Sequence, residues 1–179
     1  SIGDIALLGM MIAVMEVCKR ALDFLPNVEL ITFWTIMFTL LLGRKAVLGA
    51  LVFAMIEGML FGFHMWWISY LYIWPILVWI TWLFRKNTSV VLWAVIAGIY
   101  GLAFGAGCAL PYFVVGAAGG GIRSGLYTAF TWWIAGIPFD LIHGVSNFTI
   151  MLILYTPVRQ VIDKLSPHRR PYPTSAGKK

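Results

Sequence analysis

The chain has 179 residues, 61% of them hydrophobic and only 11% charged, with a formal net charge of +6. A soluble domain carries roughly 25% charged residues, so this supply cannot furnish a water-facing surface, and the length leaves no room for an ATPase or a separate extramembrane module. The basic residues fall in pairs between apolar runs and in a C-terminal tail, a layout that argues against a nucleic-acid-binding groove.

The apolar runs approach the ~20 residues that a bilayer-crossing helix needs. Span 1 is expected from Asp4 to Leu25, stopping before Pro26. It reads as a permanent helix, since no small-residue cleavage site precedes a soluble domain. Span 2 runs from Val28 to Leu42, and span 3 follows Arg44 and Lys45 and reaches Phe63. Span 4, Trp67 to Phe84, is rich in aromatics: Trp66, Trp67, Tyr70, Tyr72, Trp74, Trp79 and Trp82. Span 5 runs from Val90 to Leu110 with Pro111 as its stop, and a loop with Gly116, Gly119, Gly120, Gly121 and Arg123 follows. Span 6 covers Tyr127 to Tyr155, entered by an interfacial segment and bent near Pro138. The predicted fold is therefore an all-α integral membrane protein, a bundle of six transmembrane helices in residues 1–165. A polar tail, 166–179, reads as disordered.

Lys and Arg set the orientation. Arg44, Lys45, Arg85, Lys86, Arg159, Lys164, Arg169, Arg170, Lys178 and Lys179 would collect on one side, and Arg123 alone on the other. This asymmetry predicts that both termini, tail included, are cytoplasmic. Cys18 and Cys108 fall inside spans with no metal-binding or redox spacing and read as packing residues.

Intramembrane charge carries the most information, because such residues are costly and face protein, a cavity or a solute. In span 1, Glu16, Lys19, Arg20 and Asp23 stand three and four residues apart and are able to pair along one face. A self-neutralised cluster and a solute-facing role both remain open. Glu29 and Asn27 open span 2, where capping is a sufficient account. Glu57 has no basic neighbour in its own helix and needs a partner from another helix, a cavity or a solute; His64 lies near the outer end of the same span. Asp140, His143 and Asn147 repeat at three and four residues and form one polar stripe. Two ligands at such spacing make half a metal site, and neither H-E-x-x-H nor G-x-S-x-G occurs, so no metal site or catalytic residue is predicted.

The aromatics allow two readings. Trp66, Trp67, Trp132 and Trp133 suit an interfacial belt, whereas Trp67, Tyr70 and Trp74 at helical spacing also make a flat wall for a ring-bearing solute. Gly98, Gly101, Gly105 and Gly107 suit close helix packing, and Ala6, Gly9 and Ala13 form a small-residue stripe in span 1.

Size, six spans with both ends inside, and this stripe resemble the substrate-binding S component of an energy-coupling factor (ECF) vitamin transporter. The runs Glu16 to Phe33, containing L-P-N-V-E-L, and Ile137 to Gly144, I-P-F-D-L-I-H-G, look similar to S components assigned to cobalamin uptake. The resemblance implies a multi-pass protein of the bacterial cell membrane that binds a vitamin from outside. It also implies docking, through span 1, on a transmembrane coupling protein carrying two ATPases. ATP and Mg would belong to those partners; the chain itself would be no enzyme, hold no intrinsic cofactor and bind no nucleic acid. The family's helix-1 pattern is Ala-x-x-x-Ala, where this chain has Gly9-x-x-x-Ala13. Expected docking residues are Ala6, Gly9 and Ala13. Expected solute contacts are Asn27, Glu57, His64, Trp66, Trp67, Tyr70, Trp74, Arg123, Trp133, Asp140, His143 and Asn147.

Cobalamin would need widely opening loops, and the segment Gly116 to Gly121 suits a mobile lid. Pyridoxine, thiamin or a folate-type pterin fits the aromatics equally well. Two further readings are a membrane enzyme using Asp140 and His143, and a self-sufficient channel or carrier, which the lack of an internal repeat disfavours.

Overall fold

A computed structural model describes residues 2–165. The tail predicted for 166–179 lies outside the described residues. The chain is helical, with no strand among the described residues: α1 (Ile2–Leu22), α2 (Ile31–Leu42), α3 (Ala46–Phe61), α4 (Met65–Phe84), α5 (Val90–Cys108) and α6 (Leu110–Leu165). A short 3-10 turn, Gly43–Lys45, joins α2 to α3. Three stretches are long and apolar enough to cross a membrane: Ile31–Phe61, Met65–Phe84 and Val90–Lys164, the first and last each containing a break. Large apolar side chains such as Ile5, Val52, Ile76, Trp79, Ile99, Val145 and Ile153 point outward. Water-exposed protein surfaces rarely carry so much contiguous apolar area, so this is the architecture of a helical membrane protein.

Side-chain contacts give the direction of each helix. Trp34 Nε1 near the start of α2 meets Cys18 Sγ near the end of α1 at 3.2 Å, so these two helices run antiparallel. Lys45 before α3 pairs with Asp4 at 2.6 Å, and Glu57 late in α3 pairs with Lys19 and Arg20, so α3 runs parallel to α1. Trp67 donates to the Ala54 carbonyl at 2.9 Å and Tyr72 to the Gly107 carbonyl at 2.7 Å, which alternates α4 and α5 in turn. One end of the bundle thus collects Arg44, Lys45, Arg85, Lys86, Arg159 and Lys164. There the Arg44 and Arg85 guanidiniums lie 5.0 and 4.1 Å from the Trp82 ring. The other end holds the 23–30 loop, the α3–α4 turn and the start of α6.

The core between the helices is built from Met11, Met15, Ile36, Met37, Phe53, Trp74, Leu77, Val78 and Trp93, all fully buried. Ser89 caps α5, its hydroxyl accepting from Leu92 N at 3.3 Å. Ser89→Ala is expected to lower stability by about 1 kcal/mol, read as a small fall in the detergent unfolding midpoint.

The longest departure from the sequence expectation is α6. α5 ends at Cys108, close to the expected stop at Pro111, and Pro111 itself sits in the first turn of α6, where its missing N–H has no acceptor to serve. The expected glycine loop at 116–121 is also helical, except at Gly120 and Gly121, and Gly121 takes φ +76, a value a glycine adopts without strain. That break turns the chain back on itself. Tyr112 then stacks on Trp132 with ring centroids 4.4 Å apart, Gly116 abuts Thr128, Gly105 abuts Asp140, and Trp93 stacks on Tyr155. The same antiparallel register holds along the whole pair. The segment read as a mobile lid is therefore the tip of a packed helical hairpin, reaching about 15 Å past the end of α5 at 1.5 Å per residue. Pro138 lies within this helix, which keeps helical backbone angles there.

Glycine makes the hairpin close. A Cβ on Gly101 would lie 2.8 Å from Gly144 Cα, and one on Gly98 would lie 3.2 Å from Phe148 Cβ. The two backbones pack directly on each other, as small-residue helix pairs do in membranes.

Candidate functional site

At the end of the bundle poor in basic residues, a cavity of about 300 Å³ opens between the first turns of α4, the end of α5 and both arms of α6. Aromatic rings dominate its wall: Trp66, Tyr70, Phe104, Tyr112, Trp132 and Phe139. The polar lining is sparse, with Asn27, Ser69 and Asp140. Asn27 takes a left-handed conformation, φ 56, which asparagine tolerates better than most residues. Its amide donates to the Phe139 carbonyl at 3.2 Å and its own carbonyl accepts from Ser146 Oγ at 3.3 Å, pinning the α1–α2 loop to α6. Ser69 Oγ donates to the Cys108 carbonyl at 3.5 Å.

Asp140 is 6% exposed. Its Oδ1 accepts the Gly105 N–H at 3.0 Å, while Oδ2 is buried without a hydrogen-bond partner. A Cβ on Gly105 would lie 2.3 Å from that free oxygen, so the carboxylate fits only because residue 105 is glycine.

Beneath Tyr70 lies a second polar layer. Glu57, 1% exposed, forms a salt bridge with Lys19 and another with Arg20 at 2.6 Å. Lys19 also donates to Tyr70 OH at 2.9 Å and lies 4.7 Å from the Tyr70 ring centre. The partner Glu57 requires therefore comes from α1. The α1 cluster is not simply self-paired, although Arg20 keeps an intrahelical bridge to Asp23 at 2.8 Å. Glu16 Oε1 is buried in the same region without a hydrogen bond.

His143 lies behind the cavity wall. Its ring packs edge-on against Phe104 at 4.9 Å, and its Nε2 stands 3.2 Å from Glu29 Oε1, an ion-pair distance without hydrogen-bond alignment. Burial in the loop pushes the Glu29 carboxyl up, but the neighbouring His143 and Lys19 more than offset this and hold it below the usual carboxylate range. Asn147 donates to Thr32 Oγ1 at 3.1 Å and fastens α6 to α2.

The chain matches no family model, no curated protein and no solved structure.

Of the residues singled out in the sequence, Asn27, Trp66, Tyr70 and Asp140 share the cavity wall. Glu57 supports it from below through Lys19. Trp74 is fully buried among Phe53, Tyr70, Tyr100 and Phe104. Trp67 turns to Ala54 and Phe63. His64 is exposed in the α3–α4 turn and Arg123 near the hairpin tip. Trp133 sits next to the wall with its Nε1 buried and unpartnered. The polar stripe divides, with Asp140 reaching the cavity and His143 and Asn147 bonding inward. Phe104, Tyr112 and Phe139 escaped the sequence reading as wall residues, and Trp132 figured there only as a belt residue; the signal available for them was aromatic residues meeting across one antiparallel helix pair. Among the described residues no three His, Cys, Asp or Glu side chains gather as a metal would require.

Proposed function

We propose that this chain is the solute-binding membrane subunit of an ECF-type importer in a bacterial cell membrane. It would cross the bilayer six times with both termini cytoplasmic. The aromatic cavity at the end poor in basic residues carries this reading. With the positive-inside rule, that end faces outward and the cavity opens where a vitamin arrives. The stripe on α1 supports the docking role: Ala6, Gly9 and Ala13 are all exposed, and a Cβ on Gly9 would meet nothing within 4 Å. Such a face accommodates the close approach of a coupling protein whose two ATPases would supply the energy.

A cavity of about 300 Å³ stands at the small end of sites that enclose drug-sized ligands. It suits a one- or two-ring vitamin of the pyridoxine or thiamin type. Cobalamin and the larger folate-type pterins would require the α5–α6 hairpin to swing away from α4. The enzyme alternative draws less support, because His143 does not line the cavity and faces Glu29 instead.

Reconstituted alone in vesicles, the chain is expected to bind its vitamin without accumulating it, with ATP-dependent uptake appearing on addition of a coupling module. Accumulation by the chain alone would favour a self-sufficient carrier. Gly9→Leu is expected to abolish coupled uptake while leaving binding unchanged, since residue 9 is far along α1 from the cavity.

A further inference from the structure

The cavity wall carries a single carboxylate, and among the described residues no Lys or Arg forms an ion pair with it. Asp140 uses Oδ1 on the Gly105 N–H and leaves Oδ2 buried without a partner. No ion pair joins it to a cation among the described residues, because Lys19 and Arg20 engage Glu57 and His143 stands against Glu29. Three other polar groups of the lining are already engaged. The Asn27 amide is held by Phe139, the Ser69 hydroxyl by Cys108, and the Tyr70 hydroxyl accepts from Lys19. Asp140 Oδ2 is thus a carboxylate oxygen without a hydrogen bond in a wall made mostly of aromatic side chains, and a buried carboxylate oxygen demands a donor or a cation.

The rings point to the same chemistry. Stacked Tyr112 and Trp132, with Trp66, Tyr70 and Phe104, offer flat faces whose quadrupoles attract positive charge. A carboxylate or phosphate on the solute would meet Asp140 directly and find no unspent cation to answer it. Resting on the solute-binding reading above, we infer that the cavity selects a flat nitrogen heterocycle that presents an amino group, an N–H or a cationic nitrogen to Asp140 Oδ2. It rejects acidic relatives of the same ring size.

The test uses the whole purified chain in detergent and calorimetry with three probes. Pyridoxamine and 4-pyridoxic acid share one ring and differ in an amine against a carboxylate; thiamin brings an aminopyrimidine and a cationic thiazolium. Thiamin or pyridoxamine is expected to bind at least about tenfold more tightly than 4-pyridoxic acid, the scale of one charge-assisted hydrogen bond. Asp140→Asn keeps the acceptor for Gly105 and is expected to remove that preference. Gly105→Ala, which displaces the carboxylate without changing its charge, is expected to do the same. Equal or tighter binding of 4-pyridoxic acid by the wild-type chain overturns the inference, and that comparison needs no variant to fold. Binding that ignores Asp140→Asn also overturns it while the solute-binding reading stands. Failure of all three probes, with another vitamin bound, overturns the inference alone; failure of every vitamin overturns both.

Discussion

Glu57→Ala is expected to lower the stability of the detergent-solubilised protein by about 3 kcal/mol or more, the scale for removing one partner from a buried ion pair. Glu57 is nearly inaccessible and holds both Lys19 and Arg20 across the α1–α3 interface. Without it, Arg20 still has Asp23 and a solvent path, whereas the more buried Lys19 loses its salt bridge and keeps the Tyr70 hydroxyl, the surrounding ring faces and the longer-range attraction of Glu16 and Glu29. Most of the penalty therefore falls on Lys19. The double variant Lys19→Met with Glu57→Leu separates this from simple loss of packing. Replacing both charges with apolar groups is expected to recover much of the unfolding midpoint, whereas a packing defect would persist. Because Lys19 also positions Tyr70, solute binding should weaken in Glu57→Ala even in the fraction that remains folded.

Gly101→Leu is the second large effect. Residue 101 faces the backbone of Gly144, with no flexible side chain between them that is able to yield. The α5–α6 pair must separate, at a cost of about 3 kcal/mol, the upper part of the usual overpacking range. The damage is expected to spread along the hairpin register to Gly105 and Asp140, one turn away, so binding falls together with stability. Gly119→Leu is the control: a Cβ there meets nothing within 4 Å, and its effect should stay within about 0.5 kcal/mol. Equal unfolding midpoints for the two variants would show that the hairpin is not packed as described.

How much of this the residues disclose depends on the range of the interaction. The class of protein follows from local composition, because apolar runs and scarce charge act on every segment separately. The need of Glu57 for a partner is also local, since its own helix offers none. The identity of the partner is not, because Lys19 and Arg20 have Glu16 and Asp23 at intrahelical spacing, and only tertiary packing decides between them. The period of Asp140, His143 and Asn147 correctly places them on an inward face, but three residues spread over two helical turns meet three different neighbours. Gly116 to Gly121 misleads for a physical reason. Glycine density is the mark of a loop in water and of close helix contact in a membrane, and only Gly120 and Gly121 depart from helical angles here. The pairing of the wall residues Tyr112 and Trp132 depends on that same point, because they meet only once the glycine segment is folded as a hairpin.

Whether the aromatic cavity is the solute site is decided by calorimetric titration of the purified, monodisperse chain with the water-soluble vitamins, cobalamin included, beside the variant Trp132→Ala. Saturable binding of one vitamin at a single site per chain is expected, lost or strongly weakened when the Trp132 face is removed. A folded chain that binds none of them, or one whose binding ignores Trp132, would contradict the claim that this cavity is the site of function.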